Sequence, residues 1–237
     1  MRRACHTGDR RGSTVLPEGT VVRLTLASTS PARLALLRSS GIEPVVVPSS
    51  VDEDQAVADA TLAAGAPLTP ETVVALLARA KAEASLRVVV DRGDEVGLLL
   101  GGDSVFVLDG VVHGKPHTAE RARERWQAQR GRTGTLYSGH WLIDGTRPSP
   151  VGVGAVASAE VSFADDLDDA EIDAYIASGE PLEVAGAFTI DSLGAAFITR
   201  IDGDPSTVVG LSLPTLRRLV RTLGHDWHEL RNRAGAL

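Results

Sequence analysis

Asp103 is the residue whose position most strongly indicates chemistry. It lies within the apolar run LLLGGDSVFVL at residues 98–108, which is typical of a buried strand. An unpaired carboxylate there would cost several kcal/mol, so it requires a cation or a proton. The glycines that precede it leave room for a ligand or a metal to approach the backbone, which favours a functional carboxylate over an inert salt bridge.

A second carboxylate, Glu53, could join Asp103 on a hard cation. It lies in the acidic segment VDED at residues 51–54, which by itself is more typical of a solvated turn. Mg²⁺ commonly takes one or two protein carboxylates and fills its remaining positions with phosphate oxygens and waters. The two carboxylates together therefore predict a site for a divalent cation, Mg²⁺ or Mn²⁺.

Several residues could bind the phosphates of an anionic ligand. Ser28, Ser30 and Arg33 lie in the segment STSPAR, which offers hydroxyls, free N–H groups at a helix start and one guanidinium. Lys81 lies on the inward face of a predicted helix, and Lys115 is held in a Gly-Lys-Pro sequence. Each also fits a structural role, since serines commonly cap helices and lysines beside apolar stripes usually extend their ammonium groups into solvent.

Composition excludes several classes of protein. The 237 residues are 43% hydrophobic, but no apolar run reaches the ~18 residues of a membrane span, so we expect neither a membrane protein nor a membrane partner. The net charge of −7 does not favour nucleic-acid binding, and the single Cys5 fits a reducing cytoplasm. The chain has no Walker loop, zinc-spaced cluster or dinucleotide fingerprint.

The strands and helices predicted around these residues indicate a mixed α/β domain. A strand at 21–27 leads into a helix capped by Ser30 and closed by Gly41, and Thr69 opens a helix that extends to about Leu86. Asp109-Gly110 predicts a hairpin turn after a strand at 98–108 that is interrupted at 101–104. Further helices are predicted at 118–130, 168–178 and 214–223, and further strands at 45–47, 136–143, 153–163 and 195–201.

Strands and helices intermix without strict alternation, which predicts a mixed sheet with flanking helices rather than a purely parallel one. Residues 56–67 carry little signal. We expect one domain at 21–226, preceded by a flexible extension at 1–20 and followed by a tail at 227–237.

Taken in order, the segments resemble the motifs of the Maf family. The matching motifs are LASTSPAR at 26–33, VDE at 51–53, AKA at 80–82, GGDS at 101–104, GKP at 114–116, GRT at 131–133, YSG at 137–139, YIASGEP at 175–181, AGAF at 185–188 and VVGL at 208–211. So many short motifs in one order make chance an improbable explanation. The resemblance covers about residues 22–224.

The resemblance implies a nucleoside triphosphate pyrophosphatase, a hydrolase that cuts a nucleotide between its α and β phosphates. It also implies the mixed α/β fold of inosine-triphosphate pyrophosphatases, with two lobes around a central cleft, and typically a homodimer. By the same resemblance, Asp103 is the catalytic carboxylate and Glu53 its partner at the metal site. The implied phosphate contacts are Ser30, Arg33, Lys81 and Lys115.

Three departures from the family pattern concern the choice of base. Ala32 stands where many members have an arginine, Ser104 where pyrimidine-preferring members often have threonine, and Asp191 where they often have glutamine. An ionised Asp191 can only accept hydrogen bonds, so it would favour a base that presents an N–H group. A solvated Asp191, or one paired with Arg200, is an equally simple interpretation.

Two other functions remain open from the sequence. The first is a non-catalytic nucleotide-binding regulator of septum formation, which the presence of both carboxylates disfavours. The second is a nucleotidyltransferase, which uses similar acidic metal sites but needs an acceptor other than water.

Overall fold

The computed structural model describes residues 21–233 and contains seven strands and seven α-helices in that range. The strands are β1 (Leu24–Ala27), β2 (Val45–Val46), β3 (Leu98–Leu108), β4 (Val111–His113), β5 (Thr133–Asp144), β6 (Val151–Phe163) and β7 (Ile198–Gly203). The helices are α1 (Pro31–Ser39), α2 (Glu53–Ala64), α3 (Pro70–Asp91), α4 (Ala119–Gln129), α5 (Asp169–Ala177), α6 (Pro205–Val209) and α7 (Leu213–Thr222). Short 3₁₀ turns cover Glu180–Glu183, Ala185–Ala187, Leu193–Phe197 and Trp227–Leu230.

All seven strands form one mixed sheet, which confirms the predicted fold class. The strand order is β2-β1-β3-β5-β6-β7, and β4 also pairs with β3. The pairs β1–β2 and β1–β3 are parallel, whereas the remaining pairs are antiparallel. β1 ends where Ala27 pairs with Gly101, while β3 continues to Leu108, so the turn after β1 lies beside the middle of β3.

Alternate residues of β3 face opposite sides of the sheet. On one face, Leu98 and Leu100 pack with α1 and α7, and Phe106 packs with α4 and α5. On the other face, Leu99 packs with α3. The first face therefore carries two separate apolar cores, with the glycine and serine at positions 102 and 104 between them.

Local sequence signals set the predicted turns and helix starts. The side chains of Ser30, Thr69 and Asp168 accept hydrogen bonds from the first turns of α1, α3 and α5. Asp109 and Gly110 have φ values of 50° and 78°, the left-handed conformations that a tight hairpin between β3 and β4 requires. These predictions are confirmed.

The structure differs from the sequence-based elements in four places. The acidic segment and the low-signal stretch form α2, with Asp52 as its N-cap and Gly65 at its left-handed end. α3 continues to Asp91, five residues beyond the predicted end. β3 runs through the predicted interruption, and residues 193–197 form a 3₁₀ turn before β7 begins at Ile198.

The segments that flank the predicted domain are described only in part. The predicted extension at 1–20 lies outside the described residues. The segment assigned to a C-terminal tail begins as a packed turn in which Leu230 is buried and Val22 donates a backbone hydrogen bond to Glu229. Within residues 21–233, no helix has both the length and the apolar character to cross a membrane.

Candidate active site

One lysine joins the two carboxylates that the sequence singled out. Lys81 Nζ lies 2.7 Å from Asp103 Oδ1 and 2.8 Å from Glu53 Oε1. The side chains of Lys81 and Asp103 are only 12% and 10% exposed, whereas that of Glu53 is half exposed. Asp103 thus has the cationic partner that its burial requires, and the cluster opens to solvent on the side of Glu53.

Two glycines allow α3 to reach this position. A Cβ atom on Gly101 would lie 2.1 Å from the carbonyl oxygen of Ala78, and one on Gly139 would lie 2.1 Å from that of Val74. Both distances are far shorter than real side chains show, so any larger residue would push α3 away from the sheet. Close packing of α3 on β3 and β5 therefore places Lys81 against Asp103.

Arg33 lies against the opposite face of β3, where Ser104 points. Its Nε donates to Gly210 O at 2.7 Å, and its two terminal nitrogens donate to Ser28 Oγ at 3.1 Å and Ser104 Oγ at 3.0 Å. The side chain of Ser30 caps α1 by accepting from the backbone N–H of Arg33. The predicted phosphate contacts are thus divided between the two faces of the strand.

Burial lowers the pKa of Arg33, while the negative charges of Asp103 and Glu53 oppose that change. The guanidinium has five N–H groups, and among the described residues three of them have hydrogen-bond acceptors. Arg33 therefore anchors the loop at Gly210 and still carries donors that an anion could use.

A chain of hydroxyls extends from Arg33 into the domain. Ser138 Oγ donates to Thr207 O at 2.9 Å, so its lone pairs are free to accept from Ser104 Oγ, also at 2.9 Å. Ser104 in turn accepts from Arg33. Ser138 was not predicted as a site residue, although it lies in the YSG motif, which was the available signal.

His140 is a second supporting residue that the sequence did not indicate. Its Nε2 accepts a hydrogen bond of 2.8 Å from the backbone N–H of Ser212, the N-cap of α7. Burial lowers the pKa of His140 to about 4, so the ring is neutral at pH 7. No sequence signal distinguished this histidine from the others in the chain.

Among the described residues, the remaining predicted site residues form no side-chain hydrogen bond or ion pair with Lys81, Asp103 or Glu53. Lys115 is exposed and its Nζ lies 3.8 Å from Glu183 Oε2. Ala32 is partly exposed in the first turn of α1, and Asp191 is exposed before the 3₁₀ turn at 193–197. Arg200 pairs with Asp202 rather than with Asp191.

The donor set fits a hard divalent cation. Glu53 and Asp103 converge on one point, since both lie within 2.8 Å of the same ammonium nitrogen, and Mg²⁺ accepts one or two such carboxylates. In the described part of the chain, no three His, Cys, Asp or Glu side chains gather as a complete protein-only metal site. A cation held by Glu53 and Asp103 beside Lys81 would therefore also need oxygens from a ligand or from water.

The chain uses lysine sparingly. Of its 24 basic residues only two are lysines, and these are Lys81 and Lys115. Lysine offers a compact ammonium with three donors, whereas arginine presents a planar fork. The restriction of lysine to two predicted phosphate contacts favours a chemical role for both.

Nucleoside triphosphate pyrophosphatases of several bacteria are similar to this chain. The protein of Leifsonia xyli subsp. xyli is 67% identical over 217 residues, which cover 90% of this chain and 99% of the relative. The protein of Streptomyces coelicolor is 50% identical over 209 residues, covering 88% and 94%. That of Rhodococcus opacus is 49% identical over 205 residues, covering 86% and 94%.

The Maf-like protein family matches residues 23–223, nearly the same range as the predicted resemblance. This range includes all the motifs quoted from the sequence and all the candidate site residues. The chain therefore belongs to the Maf-like protein family.

Proposed function

We propose that this chain hydrolyses nucleoside triphosphates to nucleoside monophosphates and pyrophosphate. The observation that carries the proposal is the contact of Lys81 with both Asp103 and Glu53 at 2.7–2.8 Å. It joins a buried carboxylate, a second acid and an ammonium in one place, which is the set of groups that hydrolysis of a polyphosphate uses. The names of the similar proteins agree with this activity.

In the proposed reaction, Asp103 accepts a proton from the water whose oxygen attacks the α-phosphorus. The bond between the α-phosphorus and the bridging oxygen breaks, and pyrophosphate leaves with that oxygen. Lys81 has three N–H donors, two of which bond to the carboxylates, so one can contact the phosphates. Lys115 and the free donors of Arg33 add positive charge near the leaving pyrophosphate.

Glu53 and Asp103 would hold a divalent cation, Mg²⁺ or Mn²⁺, which when bound neutralises part of the negative charge on the phosphates. The half-exposed side chain of Glu53 leaves this position accessible from solvent. Chelation of divalent cations should therefore abolish turnover, and either metal should restore it.

The residues proposed to select the base are Ala32, Ser104 and Asp191. Ala32 and Asp191 reach the surface, while Ser104 is held by Arg33 and Ser138 and would act through them. We further propose that the chain is cytoplasmic and acts as a homodimer. Sedimentation of the purified protein would test the homodimer.

A panel of ribonucleotides and deoxyribonucleotides, assayed for pyrophosphate and monophosphate with Mg²⁺ or Mn²⁺, tests the activity. We expect release of pyrophosphate with water as the only acceptor. Saturable nucleotide binding without turnover would instead support a regulator, and a requirement for another acceptor would support a nucleotidyltransferase.

The variant Asp103→Asn should keep the fold and reduce turnover by ~10²-fold or more, because it removes the general base and a metal ligand together. The matched control is Asp109→Asn at the hairpin turn. Asparagine adopts the required left-handed conformation, and the exposed ion pair of Asp109 with Arg132 contributes little to stability. Turnover close to wild type in Asp103→Asn would remove Asp103 from the mechanism.

A further inference from the structure

The carboxylate of Glu180, which the proposed mechanism does not use, accepts hydrogen bonds from a single loop and from Tyr175. Its Oε1 accepts from Thr189 Oγ1 at 2.5 Å, from Tyr175 Oη at 2.9 Å and from the backbone N–H of Gly194 at 3.0 Å. Its Oε2 accepts from the backbone N–H of Leu193 at 3.2 Å. Three of the four donors thus belong to residues 189–194, which we name the 189–194 loop.

Glu180 joins the two ends of this loop. Thr189 is its first residue and Gly194 its last, and residues 189–192 belong to no helix or strand. A Cβ atom on Gly194 would lie 2.6 Å from Tyr175 Oη and 2.7 Å from Thr189 O, so only glycine permits this closure. The exposed Asp191 lies between the two fixed ends.

The charge of Glu180 is maintained by its donors. Burial by itself raises the pKa of Glu180, but hydrogen bonds from Thr189, Gly194 and Tyr175 act against burial, and the pKa is lowered to about 2. The carboxylate is therefore ionised at physiological pH, and its hydrogen bonds are of the stronger, charge-assisted kind.

The loop is connected to the strand that carries Asp103. Phe188 immediately precedes the loop and packs edge to face on Phe106, with ring centroids 5.1 Å apart. Phe106 lies in β3, three residues beyond Asp103. The backbone N–H of Gly186 also donates to Gly114 O, next to Lys115. These contacts fix the position of the loop relative to Asp103, the proposed general base, and to Lys115, a proposed phosphate contact.

We propose that Glu180 is a positioning residue that sets base selectivity by holding the 189–194 loop, and with it Asp191, in one conformation. The inference rests on the proposed function, in which Asp191 meets the nucleobase. The proposed mechanism gives Glu180 no contact with the reacting phosphates, so its loss should alter the choice of base and the KM more than kcat. A residue that only stabilised the fold would not produce this pattern.

The principal variant is Glu180→Gln, which keeps the shape of the side chain but replaces one accepting oxygen by an NH₂ group that cannot accept. We expect the amides of Leu193 and Gly194 to exchange with deuterium at least ~10-fold faster, because charge-assisted hydrogen bonds are lost. The control is Glu171→Gln in α5, since glutamine retains the capping box of this helix. Unchanged exchange in Glu180→Gln would overturn the holding role.

The second measurement is the ratio of kcat/KM for UTP and CTP. We expect Glu180→Gln to reduce the discrimination by ~10-fold, mainly through KM, with kcat for the better nucleotide within about threefold of wild type. In an Asp191→Asn background the same change should have little additional effect, because both act on the same contact. Thr189→Val, which removes one donor and leaves the carboxylate in place, should shift the ratio in the same direction by less.

The outcomes separate this inference from the function on which it rests. A wild-type protein that releases no pyrophosphate from any nucleotide removes the proposed function and the inference together. If the wild type turns over nucleotides but Glu180→Gln leaves the ratio of kcat/KM for UTP and CTP unchanged, the inference alone is overturned. If Glu180→Gln fails to fold, Thr189→Val decides by the same ratio.

Discussion

Protonation of His140 should destabilise the protein as the pH falls from 7 towards 4.5. The imidazole is 1% exposed, its Nε2 accepts from Ser212, and its Nδ1 lies 3.4 Å from the carbonyl oxygen of Ala155. Burial is the main cause that lowers the pKa of His140 from 6.5 to about 4. The contact with the Ala155 carbonyl and the negative charge of Asp204 act to raise this pKa, while the positive charge of Arg33 acts to lower it further. Protonation would replace the acceptor at Nε2 by a second donor facing the Ser212 N–H.

The direction of this change in stability follows from proton binding to His140 in the folded and unfolded states. Between pH 6.5 and 4 the unfolded chain binds a proton at this histidine and the folded chain does not, so stability is complete above the unfolded pKa and is lost as the pH falls. One pH unit corresponds to ~1.4 kcal/mol, so the full loss is about 3 kcal/mol. Most of that loss should occur by pH 4.5.

The assay is urea unfolding at pH values from 7 to 4.5, for the wild type and for His140→Gln. Asp144 and Glu180 lose their contribution to stability only as the pH falls from their ordinary pKa values of 3.8 and 4.5 to the folded values of about 2, so the range ends at the upper edge of that window. Burial also lowers the pKa of His113, so the informative quantity is the difference between the two proteins. We expect the wild type to lose about 2 to 3 kcal/mol more than His140→Gln over this range. Equal losses would refute the assignment of a buried neutral His140.

The other predictions concern a proposed phosphate contact and the packing beneath the site. Lys115→Ala should lower kcat/KM by ~10-fold or more. Its free energy of unfolding should change by less than ~1 kcal/mol, because the pair of Lys115 with Glu183 is exposed. A loss of stability as large as the loss of activity would support a structural role. Gly101→Ala should destabilise the protein by ~3 kcal/mol or more in urea unfolding, because its Cβ would collide with the Ala78 carbonyl oxygen. Gly114→Ala is the stability control, since no atom lies within 4 Å of its Cβ position, and an equally stable Gly101→Ala would contradict the tight approach of α3.

Local sequence determined the features that depend on a few neighbouring residues. Ser30 and Thr69 begin their helices because a side-chain oxygen satisfies an N–H group that the helix leaves free, a requirement readable within four residues. The Asp109-Gly110 turn is local in the same way. α2 was missed because it buries none of its residues and so has no apolar stripe, although Asp52 and Gly65 marked its two ends.

The sequence also identified Asp103, because a carboxylate in an apolar run needs a partner wherever the run lies in the fold. It could not show that this partner is Lys81, since that contact depends on how closely α3 approaches β3 over Gly101. The division of the site between two faces of β3, with Arg33 bound to Ser104 and Lys81 bound to Asp103, likewise required the register of the sheet. Helix caps and turns follow from residues adjacent in the chain, whereas these contacts join residues 22 and 71 positions apart, and only tertiary packing brings them together.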